Sequence, residues 1–160
     1  MIKISLRKIK QSDKNHFAKW WRNEELLRLT SGILRKISDQ EVDKYFQTIL
    51  NSKKDYHFMI VANGKTIGHI SLAKRLKSWY ETQIVIGEKN YLGRGYGSQA
   101  INLLIKRARS LSISKIYLEV RPTNIRAIRA YEQCDFRKVK IVKYPKNKYL
   151  QETLRMELKN

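Results

Sequence analysis

Cysteine is nearly absent. Cys134 stands alone, which excludes an internal disulfide and fits a reducing, cytoplasmic setting. Long apolar runs are missing too: none approaches the ~20 residues of a membrane span, and the opening Met-Ile-Lys-Ile-Ser-Leu-Arg-Lys alternates like a strand, without the apolar core of a secretion signal. Acidic residues are scarce, 14 against 34 Lys plus Arg, for a net charge of +20. The three histidines, His16, His57 and His69, have no metal-ligand spacing, and no Ser-His-Asp signature appears. Internal repeats, low-complexity stretches and linkers are also lacking. What remains is 160 residues, 42% hydrophobic and 10% aromatic, the size and composition of one domain, residues 1–160, with a real core.

The glycines are few, but three crowd into Tyr91-Leu92-Gly93-Arg94-Gly95-Tyr96-Gly97-Ser98-Gln99-Ala100. This stretch follows a strand-like run, 82–87, and leads into a helix-like run, 101–110, with Ile101, Leu104, Ile105, Ala108 and Leu111 at helical spacing. Alternate glycines let the backbone turn tightly with its N–H groups facing inward. The helix start adds unpaired donors and a positive dipole end. The product is a cradle for a pyrophosphate. No Gly-Lys-Ser/Thr follows, which rules out a P-loop, and the G-x-G-x-G spacing differs from the dinucleotide-fold G-x-G-x-x-G.

Around the cradle the chain reads as α+β. Ile2, Ile4 and Leu6 alternate as a first strand. Ser12 or Asp13 caps a helix through Phe17, Trp20 and Trp21, and residues 23–30 add a short helical turn before Gly32. Ser38-Asp-Gln-Glu41 is a capping box opening a helix with Val42, Tyr45, Phe46 and Ile49 on one face. Residues 56–62 and 65–73 form a hairpin across Asn63-Gly64, followed by a strand over 81–87. Downstream come a strand over 115–120, a helix over 124–133, and a closing hairpin, 136–142 and 150–158, turned at Pro145-Lys-Asn147.

The cradle and its flanks resemble the GCN5-related N-acetyltransferases, whose acyl-coenzyme A loop is written Q/R-x-x-G-x-G/A. Gly95 and Gly97 match the two small positions. Leu92 replaces the Gln or Arg, as in the RimJ/RimL-like branch. Ile84-Val85-Ile86-Gly87 before the loop and Asn124-Ile-Arg-Ala127-Ile-Arg-Ala-Tyr131 after it are also similar to that branch, while Asp135 stands where a Gly usually precedes Phe136. The resemblance is close over about residues 80–136. It implies a mixed, mostly antiparallel sheet, splayed to admit a pantetheine arm and flanked by helices. It also implies acetyl-CoA as cosubstrate, no metal, and cofactor contacts from Ile84, Val85, Ile86, Leu92, Gly93, Arg94, Gly95, Tyr96, Gly97, Ser98, Asn124, Ala127 and Tyr131. The acceptor would be a primary amine on an amino sugar or nucleotide-linked amino sugar, an aminoglycoside, a polyamine or a protein N-terminus, and the assembly a monomer or homodimer.

Acetyl transfer from a thioester needs a neutral amine, a donor for the developing oxyanion and a proton for the leaving thiolate. By the resemblance Tyr131 is the acid; on the helix it shares a face with Asn124 and Ala127. Its other reading is packing alone. Glu81 matches a strand carboxylate of the branch and shares a face with Gln83 and Val85; it is either the base or a carboxylate paired with a cation. Glu119, or water, is the alternative base, and Glu119 is also a candidate substrate contact. Trp21, Arg22, Trp79 and Tyr80 are candidate walls of the acceptor pocket, with Trp20 as core. Cys134 reads as a small buried residue closing a helix.

The charge admits two readings, an acidic partner such as RNA or the ribosome, or a lysine-rich solvated surface. Basic residues are dispersed, densest over 137–148, without a zinc finger, RNA-binding sheet or basic zipper signature. Specific nucleic-acid binding is therefore not expected. A nucleic-acid- or ribosome-binding protein on a worn acetyltransferase scaffold stands as the alternative, supported by Leu92 and Asp135.

Overall fold

Alternating apolar residues place one sheet at the centre of the molecule, and amphipathic helices cover both its faces. The computed structural model describes residues 2–30 and 35–160; the short helical turn expected over 23–30 is present, while Gly32 lies outside the described residues. The strands are β1 (Ile4–Lys8), β2 (Tyr56–Ala62), β3 (Lys65–Lys74), β4 (Tyr80–Ile86), β5 (Ile116–Val120), β6 (Phe136–Lys143) and β7 (Glu152–Leu158). The helices are α1 (Lys14–Trp21), α2 (Glu24–Thr30), α3 (Asp39–Leu50), α4 (Tyr96–Ser110) and α5 (Ile125–Gln133). The sheet order is β1-β2-β3-β4-β5-β7-β6, antiparallel at every junction except β4–β5.

Local chemistry sets most boundaries. Asn63 and Gly64 both have positive φ, 51° and 78°, as a two-residue hairpin between right-twisted strands requires. Ser38 Oγ accepts from the Glu41 N–H, and the Glu41 carboxylate accepts from the Ser38 N–H, closing the expected capping box. One expectation is corrected. Helix α4 starts at Tyr96, not Ile101, because the left-handed residues are Gly93 and Gly95, and Gly97 is already inside the first turn. Of the two expected N-cap candidates, Asp13 is the residue that precedes α1, after a short 3₁₀ turn over Gln11–Asp13. Its carboxylate is drawn to Arg7 and to the Lys10 N–H.

Two apolar layers sandwich the sheet. On one face Ile60, Ile70, Leu72, Leu118 and Met156 pack against Ala100, Ile101 and Leu104 of α4. On the other, Met59 packs with Phe17 and Trp20 of α1 and Phe46 of α3. Trp20 is core, as expected, with its indole against Gly87.

The β4–β5 junction shapes the site. Parallel pairing is confined to Tyr80↔Ile116 and Glu81↔Tyr117. Beyond it β4 continues to Ile86 and β5 to Val120 without pairing each other, so the sheet opens there with free backbone edges on both sides.

Candidate active site

The glycine turn lies at the far end of that opening, directly after β4. Gly93 and Gly95 have φ of +72° and +82°, a left-handed conformation that L side chains rarely adopt. Gly95 is the N-cap of α4 and has no side chain to cap the helix, so the first N–H groups of the helix, on Tyr96, Gly97 and Ser98, keep their donors for a ligand. A Cβ on Gly95 would find no atom within 4 Å: the turn faces open space. Arg126, on α5, brings Nη1 to 3.7 Å from where a Gly93 Cβ would lie. With Arg94 it adds positive charge beside donors and a helix dipole. The pattern of the glycines foretold the cradle; Arg126 was missed, because only the α4–α5 packing brings it near. The cradle and the open sheet fit the diphosphate and pantetheine arm of coenzyme A.

Helix α5 flanks the cradle. Asn124 caps it, its Oδ1 accepting from the Ala127 N–H at 3.3 Å. Tyr131 is half-buried, its ring edge-on to Phe136. Burial pushes its phenol up to about 12, and no backbone group caps the hydroxyl among the described residues. Cys134 closes the helix, buried, with Sγ facing the Ser98 carbonyl at 3.5 Å; burial also raises its pKa, as for an inert structural thiol. Asp135 holds φ at +67°. The left-handed backbone of a glycine position is thus retained by a residue type that tolerates it.

On the sheet face under α1 and α3 lies an open cleft of about 870 Å³. Trp21, Phe17, Ile49 and Val85 give it apolar walls, and His57, His69, Ser71 and Gln83 supply its polar floor. Lys53, Lys54, Asp55 and Arg75 also line it. His57 Nδ1 lies 3.0 Å from His69 Nε2, with the rings stacked at 5.2 Å. Burial lowers the pKa of His57; burial and then the neighbouring His57 take His69 down to about 3. Both are neutral bases at physiological pH.

Glu81 sits at the last paired position before the opening. Arg75 donates to its Oε1 through Nε and Nη2, at 3.1 and 2.8 Å. Burial works against the Arg75 charge, but this bond, the charge of Glu81 and the nearby Tyr117 together outweigh it and hold the pKa above its ordinary value. Glu119 accepts from the hydroxyls of Tyr144 and Thr153. Of the expected pocket walls, Trp21 lines the cleft. Arg22 is drawn away by Asp39 and the Ile37 carbonyl. Trp79 stands edge-on to Tyr117 with Arg155 over its face, and Tyr80 packs on Tyr56; neither these nor Glu119 is in the cleft lining. The histidine pair and Lys53-Lys54 carried no local signal.

Residues 3–137 match the acetyltransferase (GNAT) domain family. The chain belongs to that family and is an acetyltransferase using acetyl-CoA as cosubstrate. It is 24% identical over 146 residues to the aminoglycoside N(6')-acetyltransferases type 1 of Klebsiella pneumoniae and Serratia marcescens, covering 83% of this chain and 69% of each relative. The fold is similar to that of spermidine N-acetyltransferase from Vibrio cholerae in complex with CoA and spermine, at TM-score 0.83 and 21% identity over 97% of this chain and 94% of that one. It is also similar to AAC(6')-Ib in complex with ribostamycin and coenzyme A, at TM-score 0.81 and 18% identity over 97% and 92%. No helix among the described residues is long and apolar enough to cross a membrane.

Proposed function

We propose that this chain, as one domain acting in the cytoplasm, acetylates a primary amine by direct attack within a ternary complex. The observation that carries the reading is the uncapped left-handed glycine turn placed beside the opening between β4 and β5. Gly93 to Ser98, with Arg94 and Arg126, hold the diphosphate, while Leu92 seats the turn. The β5-facing edge of Ile84, Val85 and Ile86, which pair with β3 on their other side, and the side-chain amide of Asn124, beside Ala127, hold the pantetheine arm. Bound there, acetyl-CoA supplies an activated acetyl thioester. Trp21 and the sheet-face cleft hold the amine. Glu81 takes the proton that the attacking amine must lose, with Glu119 or an ordered water as the alternative acceptor. Tyr131, protonated throughout the physiological range, gives a proton to the departing sulfur. Leu92 and the Asn124–Tyr131 helix favour the RimJ/RimL-like branch, and a protein N-terminus is an acceptor this chemistry admits alongside small amines. The active unit is a monomer or homodimer.

The worn-scaffold alternative loses support where Asp135 keeps its glycine-like backbone. Thermal unfolding separates the two. A ligand at 100 times its dissociation constant stabilises by about 2.7 kcal/mol, so acetyl-CoA should raise the Tm at both low and moderate salt. A shift with RNA that persists at physiological salt, without one for acetyl-CoA, would favour the alternative, since electrostatic nucleic-acid binding collapses with salt.

A further inference from the structure

Resting on the transfer reading above, we infer that the acceptor of this site is an anionic amine: a primary amine whose other end carries a phosphate or carboxylate. The charges around the cleft carry the argument. A polycationic acceptor needs free carboxylates to meet its ammonium groups. Among the described residues the cleft lining contains a single carboxylate, Asp55, and its Oδ1 already accepts the Lys74 N–H at 2.9 Å. Glu81, next to the cleft, is engaged by the Arg75 fork. His57 and His69 are neutral and place no negative charge on the floor. Against these stand Lys53 and Lys54, exposed side chains on the segment after α3 that line the same cleft. Neither forms an ion pair with a described carboxylate. They are two point charges free to meet an anion, on a body of net charge +20 whose field draws anions in and repels polycations. The substrate then lies with its acid group at Lys53 and Lys54 and its amine toward Glu81, with its body against Trp21.

Matched amines test this. Thiol release from acetyl-CoA is followed with ethanolamine against phosphoethanolamine, propylamine against β-alanine, and spermine. The anionic member of at least one pair is expected to show a kcat/KM tenfold or more above its neutral partner, carried by KM rather than kcat and shrinking with added salt. Which pair responds tells phosphate from carboxylate. Spermine is expected to be the poorest acceptor. In the Lys53→Gln/Lys54→Gln variant the preference should vanish, while coenzyme A affinity stays as it was. Turnover of neutral amines without charge preference, a preference that survives the double variant, or spermine as the best acceptor would each overturn the inference and leave the transfer reading standing. Absence of thiol release with every amine would overturn both.

Discussion

Replacing Gly95 by alanine should uncouple folding from coenzyme A binding in a way that the structure makes quantitative. The added Cβ meets no atom within 4 Å, so no packing clash arises. The residue must still hold φ at +82°, which costs an L residue roughly 1–2 kcal/mol. For a chain of this size each kcal/mol is about 2–4 °C in Tm, so Tm should fall by roughly 2–8 °C and the protein should stay folded at 25 °C. Binding should suffer more. The methyl group projects into the space where a phosphate must approach the Tyr96–Ser98 donors. Loss of one charge-assisted hydrogen bond is worth about 1.5–3 kcal/mol, or roughly 10- to 100-fold in Kd at 1.4 kcal/mol per decade. Gly64→Ala is the matched control. Its φ of +78° and its empty surroundings are the same, but it lies in the β2–β3 turn. Both variants should lose similar Tm; only Gly95→Ala should lose coenzyme A affinity by isothermal titration. Equal affinities in the two variants would refute the cradle.

Tyr131→Phe keeps the ring that packs on Phe136, so Tm and coenzyme A Kd should move little while kcat falls about 10²–10⁴-fold, the scale of general acid catalysis; an unchanged kcat with chemistry rate-limiting would take Tyr131 out of the mechanism. Glu81→Gln should lower kcat/KM by a comparable ~10²-fold or more if Glu81 is the base, and a pH–rate profile identical to that of the parent would pass the role to Glu119 or water. The neutral histidine pair should make the fold acid-labile: below the ordinary histidine pKa of about 6.5 the unfolded chain takes up protons that the folded chain refuses. That contribution is present above pH ~6.5 and is lost as pH falls toward the His69 value of about 3. Urea midpoints measured from pH 7 to pH 4 should decline less steeply in His57→Gln/His69→Gln than in the parent, and parallel slopes would contradict the assignment.

The parts of this molecule legible in its sequence are those encoded by neighbours along the chain. Asn63-Gly64 announces its turn because two consecutive positive φ values are needed there. Ser38 and Glu41 announce a helix start because each caps the other, and Asn124 does the same through the Ala127 N–H. The glycine turn is the strongest case, since tight turning and close backbone approach both demand residues without a Cβ. The GNAT fold follows from this order of pieces. The sheet-face cleft was not legible. His57 and His69 meet across a β2–β3 register in which Met59 opposes His69 and His57 opposes Ser71, and nothing at either position signals the other. Arg75 reaches Glu81 across a short 3₁₀ turn in which Lys77 and Ser78 take positive φ, a bend that no glycine marks. The helix start was misplaced by five residues because Gly97 reads as a breaker, although it sits with helical geometry inside α4.

Initial-velocity kinetics of thiol release test the central claim most directly. Acetyl-CoA and an amine acceptor are varied together, and the acetylated amine is identified by mass spectrometry. Direct attack in a ternary complex predicts amine-dependent release of coenzyme A, one acetylated amine per thiol, and reciprocal plots that intersect. No amine-dependent release, or parallel plots accompanied by an acetyl group on the protein itself, would contradict it.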